Sequence, residues 1–93
     1  MAVYTSRKPF DKSTIEAVQL KKDNFQELVD FTGGKVSDFQ LMKKENRQTC
    51  SCFLHYNESF CAKVNENDFV IKKDGGFFHV KEYYFLEKWT LPS

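Results

Sequence analysis

Along most of this chain apolar and polar positions alternate with a period of two, and the spacing turns helical at only two places. The alternation is clearest at Asp68-Phe69-Val70-Ile71-Lys72-Lys73-Asp74-Gly75-Gly76-Phe77-Phe78-His79-Val80-Lys81, where two β-prone runs flank an Asp-Gly pair. A two-residue turn needs φ > 0 at both central positions, which makes Asp-Gly a strong hairpin signal. That turn sets Ile71 opposite Phe78 and Phe69 opposite Val80, and those four are expected to face the core. Val70, Lys72, Phe77 and His79 then share the other face, and they form the candidate binding surface.

Upstream, Ile15-Glu16-Ala17-Val18-Gln19-Leu20 reads as a strand with apolar residues on both faces, so cover from both sides is expected. Asp23 stands three residues before Gln26, a capping-box spacing, and Phe25, Leu28, Val29 and Thr32 follow at helical intervals. Gly33-Gly34 ends that helix, because a left-handed residue after the last turn suits glycine. Thr32-Gly33-Gly34-Lys35 is thus a helix exit, since a phosphate loop would precede its helix.

Val36 to Met42 and Gln48 to Tyr56 are strands, with Phe39 and Leu41 on one face of the first. A three-residue loop at Asn57-Glu58-Ser59 leads into Phe60 to Val64, aligning Cys50, Cys52, Leu54 and Tyr56 with Phe60, Ala62 and Val64. After the hairpin, Phe85 and Trp89 stand four apart in a short amphipathic helix. Residues 1–12 show little periodicity and are expected to be a flexible N-terminal arm, with a single α+β domain over residues 13–93. The expected fold is a small, mostly antiparallel sheet or partly open barrel, in the order β-α-β-β-β-β-β-α.

Composition narrows the function classes. Fourteen basic and thirteen acidic residues nearly cancel, so charge does not predict a broad polyanion-binding surface. Ten Phe, four Tyr and one Trp make a compact core affordable in 93 residues. No apolar run is long enough to span a membrane, and three cysteines are an odd number for a secreted disulfide framework. The chain therefore reads as soluble and intracellular with reduced thiols.

Cys50, Cys52, His55 and Cys61 are residue types that zinc prefers. On a strand, however, Cys50 and Cys52 lie too far apart for a tight metal knuckle, and His55 and Cys61 point to the other face. No metal or cofactor is expected. Neither His55 nor His79 stands beside a nucleophile and carboxylate in a recognisable arrangement, and no catalytic residue is assigned. The face carrying Phe77 and His79 near Lys72, with Lys21, Lys22, Lys43, Lys44 and Arg47 in loops, has the aromatic and cationic character of single-strand nucleic-acid binders. The same aromatic face suits protein docking, which needs no basic surplus.

Arg7-Lys8-Pro9 before Ile15-Glu16-Ala17-Val18-Gln19, Asn24-Phe25-Gln26-Glu27-Leu28 with Phe31-Thr32-Gly33-Gly34, and the Asp68 to Trp89 hairpin and helix together resemble a group of small phage- and prophage-encoded proteins. The chain departs from that group at Phe10 to Thr14, which looks inserted, and at Cys50 to Cys61, which has no counterpart there. The resemblance implies a bacterial host cytoplasm and a non-enzymatic accessory protein that binds a host or phage protein, with inhibition of a host defence as one such role. Nucleic-acid or nucleotide binding, and a minor virion or self-assembling component, are the alternatives.

Overall fold

The computed structural model describes residues 1–92 and shows an α+β fold built on two open antiparallel sheets. Its elements are β1 (Ala2–Ser6), β2 (Thr14–Gln19), α1 (Phe25–Thr32), β3 (Val36–Lys44), β4 (Arg47–Asn57), β5 (Phe60–Asn65), β6 (Phe69–Lys73), β7 (Gly76–Val80), α2 (Glu82–Lys88) and β8 (Trp89–Thr90). One sheet has the order β7-β6-β2-β1-β8 and the other the order β3-β4-β5. Neither closes, so the expected α+β class holds while the strands divide between two sheets.

The hairpin forms with the expected register, Ile71 opposite Phe78 and Phe69 opposite Val80, around Asp74 and Gly75 at φ 53° and 79°. Both central residues are left-handed, as a two-residue type I′ turn requires. Strands β4 and β5 also keep the expected pairing, Cys52 with Val64 and Leu54 with Ala62. A bulge between His55 and Asn57 leaves Tyr56 unpaired, so the turn tightens to Glu58-Ser59.

Helix α1 ends as expected. Gly33 takes φ 66°, Gly34 N–H donates to Val29 O at 2.9 Å, and Gly33 N–H reaches Asp30 O. Its start differs from the capping box expected at Asp23. Asn24 is the N-cap and makes no side-chain cap bond. Its carboxamide instead accepts Lys21 N–H at 2.8 Å and donates to Gln19 O at 2.7 Å, tying the β2–α1 loop together.

Two terminal strands depart from the expected order. Ala2–Ser6, expected in a flexible arm, pairs with β2 along Ala2 to Thr5 and with β8 at Thr5 and Ser6. The reason is tertiary: the Tyr4 ring packs edge-on against Phe69 at 5.7 Å and Phe85 at 4.8 Å. Trp89 likewise leaves the helix, at φ −132°, to start β8.

The five-stranded sheet carries apolar side chains on both faces, as the pattern of β2 predicts. On one face Ile15, Ala17, Phe69 and Ile71 pack under Phe85 of α2, whose ring stacks on Phe69 at 4.0 Å. On the other, Val18, Leu20 and Val70 meet Leu28 of α1 and Val36, Cys50, Cys52, Leu54 and Val64 of the second sheet. Burying both faces places the central strands β2 and β6 between two apolar layers.

Candidate functional site

The register expected for the hairpin face is present, with Val70 opposite His79 and Lys72 opposite Phe77. Its expected exposure is not. Val70 is fully buried (0 % exposed) in the larger core. Phe77 is half-buried, edge-on to Phe31 of α1 at 5.4 Å, with Lys35 Nζ 5.6 Å from its ring centre. Only Lys72 is open to solvent, and His79 is half-buried. The proposed surface of Val70, Lys72, Phe77 and His79 is thus mostly an internal contact between layers. Alternation along a strand assigns residues to a face, but the second sheet and α1 decide what covers it.

An exposed aromatic group lies instead at the margin of that contact. The β4 bulge carries the Tyr56 ring to the edge of β7, 5.6 Å from Phe60, 6.0 Å from Phe78 and 6.3 Å from the His79 ring. Tyr56 Oη lies 2.8 Å from His79 Nδ1 and accepts the His79 backbone N–H at 3.3 Å. Phe60 is 59 % exposed and Phe78 44 % exposed. Phe78 was expected in the core. It lies on an edge strand, and α2, only seven residues and so about 10 Å long, centres its cover on Phe69 and Tyr4.

The loop between β1 and β2 displays a second apolar side chain that the sequence pattern missed. Asp11 N–H donates to Lys8 O at 3.2 Å, closing a turn with Pro9 and Phe10 at its centre. Phe10 is fully exposed at φ 67°, where such turns favour Gly or Asn. Hydrogen bonds from Ser13 brace the same loop and hold the Asp11 carboxyl below the ordinary carboxylate range. Pro9 between Lys8 and Phe10 was the available signal for this turn.

The polar groups that invite catalytic or metal readings are arranged otherwise. Ser37 Oγ lies 2.5 Å from His55 Nε2 and donates to Asp38 Oδ2 at 2.9 Å. Ser37 thus stands between His55 and Asp38, whereas a serine–histidine–carboxylate triad has the histidine in the middle. Cys50 and Cys52 are buried, and burial pushes the Cys52 thiol up to about 11. Cys61 is exposed opposite His55, on the other side of the sheet from Cys50 and Cys52. Among the described residues, no three His, Cys, Asp or Glu side chains group as metal ligands.

Of the cations expected in loops, Lys22 pairs with Glu66 at 3.0 Å and Lys21 Nζ donates to Asn67 Oδ1 at 2.6 Å, while Lys43, Lys44 and Arg47 belong to the ends of β3 and β4. No helix of the described residues is long and apolar enough to cross a membrane. Comparisons with protein-family models, curated proteins and solved structures find no match to this chain.

Proposed function

We propose that this chain is a non-enzymatic protein-binding domain, a phage or prophage accessory protein acting on a host protein such as a defence factor. The observation that carries the binding role is the exposed aromatic group of Phe60 and Phe78 about Tyr56. Neighbouring aromatic rings at a surface supply the large, rigid contact area that dominates interface energies. The phage context rests on the sequence resemblance alone.

Affinity capture from a nuclease-treated bacterial lysate, comparing the native chain with a Phe60→Ser/Phe78→Ser variant, tests this reading. A partner protein kept by the native chain and lost by the folded variant supports it. Equal retention by both overturns the surface. Loss of all partners on nuclease treatment transfers the function to nucleic acid, whose affinity would fall steeply with salt.

A further inference from the structure

The β3-β4-β5 sheet turns one face inward and leaves the other uncovered. Cys50, Cys52 and Leu54 of β4 enter the larger core, so by alternation Arg47, Thr49 and Phe53 stand on the opposite face. The strand register adds Lys44 opposite Arg47, Met42 opposite Thr49 and Lys63 opposite Phe53 to that outer face. Neither helix covers it, because Leu28 of α1 packs into the core on the inner side and Phe85 of α2 packs on the far side of the five-stranded sheet.

Towards the β3–β4 turn this face holds an open pocket of about 430 Å3, where Lys44, Arg47 and Lys63 converge with Thr49, Asn65 and Glu66. Among the described residues none of those three cations is in an ion pair, whereas Glu66 is neutralised by Lys22 at 3.0 Å. Lys21 stands beside them, donating to Asn67 of the pocket wall at 2.6 Å. These five cations meet two carboxylates, Glu66 and Glu45 of the β3–β4 turn, a surplus of three in a chain whose net charge is +1. Seven of the nine lining residues are polar or charged, so the pocket gives a peptide no apolar recess to anchor in. The half-buried Phe53, about 20 Å from Arg47 along β4 and beside Lys63, belongs to neither core. An unpacked ring among cations on an uncovered sheet is how bases are stacked while their phosphates are neutralised.

We infer that the outer face of the β3-β4-β5 sheet binds single-stranded nucleic acid, with backbone phosphates at Lys44, Arg47 and Lys63 and a base stacked on Phe53. Thr49 and Asn65 supply hydrogen-bonding groups between the cations. This site shares no residue with the Tyr56, Phe60 and Phe78 group, so each can fail without the other.

Fluorescence anisotropy of a labelled oligothymidylate of about twelve nucleotides, titrated with the whole chain at increasing salt, tests the site. Saturable binding is expected, with log K falling by about 2 per decade of salt, since each of three neutralised phosphates on a single strand contributes about 0.7. Arg47→Ala/Lys63→Ala should reduce that slope to about 0.7, while Lys73→Ala/Lys88→Ala, which removes the same charge elsewhere, leaves it unchanged. Phe53→Leu keeps apolar bulk but loses the ring, and should weaken binding about tenfold at every salt concentration. Circular dichroism checks that each variant is folded. Absence of saturable binding up to about 1 mM protein at low ionic strength overturns the inference. So does a salt slope indifferent to Arg47→Ala/Lys63→Ala or an affinity indifferent to Phe53→Leu in folded protein, or equally tight binding of polyglutamate or duplex DNA of the same charge.

Discussion

The Tyr56 hydroxyl bridges the backbone and side chain of His79, accepting its N–H at 3.3 Å and lying 2.8 Å from Nδ1. In the hairpin register, Val70 and His79 form a pair whose backbone groups point away from one another, so the His79 N–H faces the open edge of β7. Tyr56 therefore occupies a position that an incoming strand would use.

Removing that hydroxyl tests the relationship. Tyr56→Phe keeps the ring against Phe60 and Phe78 but loses both bonds, at a cost of about 1–2 kcal/mol in urea denaturation. The unblocked edge should also raise self-association, seen as a concentration-dependent mass in sizing with light scattering. An unchanged mass and midpoint would show that the hydroxyl neither stabilises nor protects the edge.

Asp68 is a buried carboxylate that accepts Asn65 N–H at 2.9 Å and lies 3.5 Å from Lys81 Nζ. It links the turn before β6 to the start of α2. Asp68→Ala leaves the Asn65 N–H without its acceptor and should cost about 2–3 kcal/mol. Asp68→Asn keeps an acceptor and should cost less. Chemical denaturation of the two variants orders them.

The three thiols should differ sharply towards alkylation. Native protein at neutral pH is expected to take up one equivalent of iodoacetamide, at Cys61, and three after unfolding, as read by peptide mass. Burial raises the Cys52 thiol to about 11 from an ordinary value near 9. Between those values the unfolded chain loses a proton that the folded chain keeps, so this contribution to stability is complete below pH 9 and falls away as pH rises towards 11. The loss is at most about 2–3 kcal/mol. Its signature is a steeper alkaline decline in the urea midpoint of native protein than of Cys52→Ala.

Two turns make opposite predictions for the same backbone region. At φ 79°, with nothing near an added Cβ, Gly75→Ala carries only a conformational penalty, about 1 kcal/mol, whereas Gly76→Ala meets Phe78 at an ordinary 3.6 Å and should be nearly neutral. Phe10 stands at φ 67° with no packing to hold it there, so Phe10→Asn should raise stability by about 1 kcal/mol. Thermal melts of the three variants give the signs.

Local chemistry made the hairpin and the first helix stop legible: Asp74-Gly75 and Gly33-Gly34 demand their conformations whatever surrounds them. The register of β4 and β5 was legible because burial of Cys52, Leu54 and Val64 selects it, although the Tyr56 bulge has no marker in the sequence. Strand β1 was hidden because its support, Tyr4 against Phe69 and Phe85, lies more than sixty residues away in the chain. The same non-locality misplaced the candidate site. Val70 and Phe77 were assigned to the right face, but the layer that buries them is formed by residues the hairpin pattern cannot see.

Strand β2 contributes Ile15 and Ala17 to one core, and Val18 with the adjoining Leu20 to the other. Displacing that strand disrupts both cores at once, and a shift of one residue would turn both sets of side chains the wrong way. The domain should accordingly exchange its amide hydrogens as one cooperative unit. The slowest protons are expected along Ala17 to Gln19 and their partners Phe69 to Ile71, with the β3–β5 sheet opening at the same free energy.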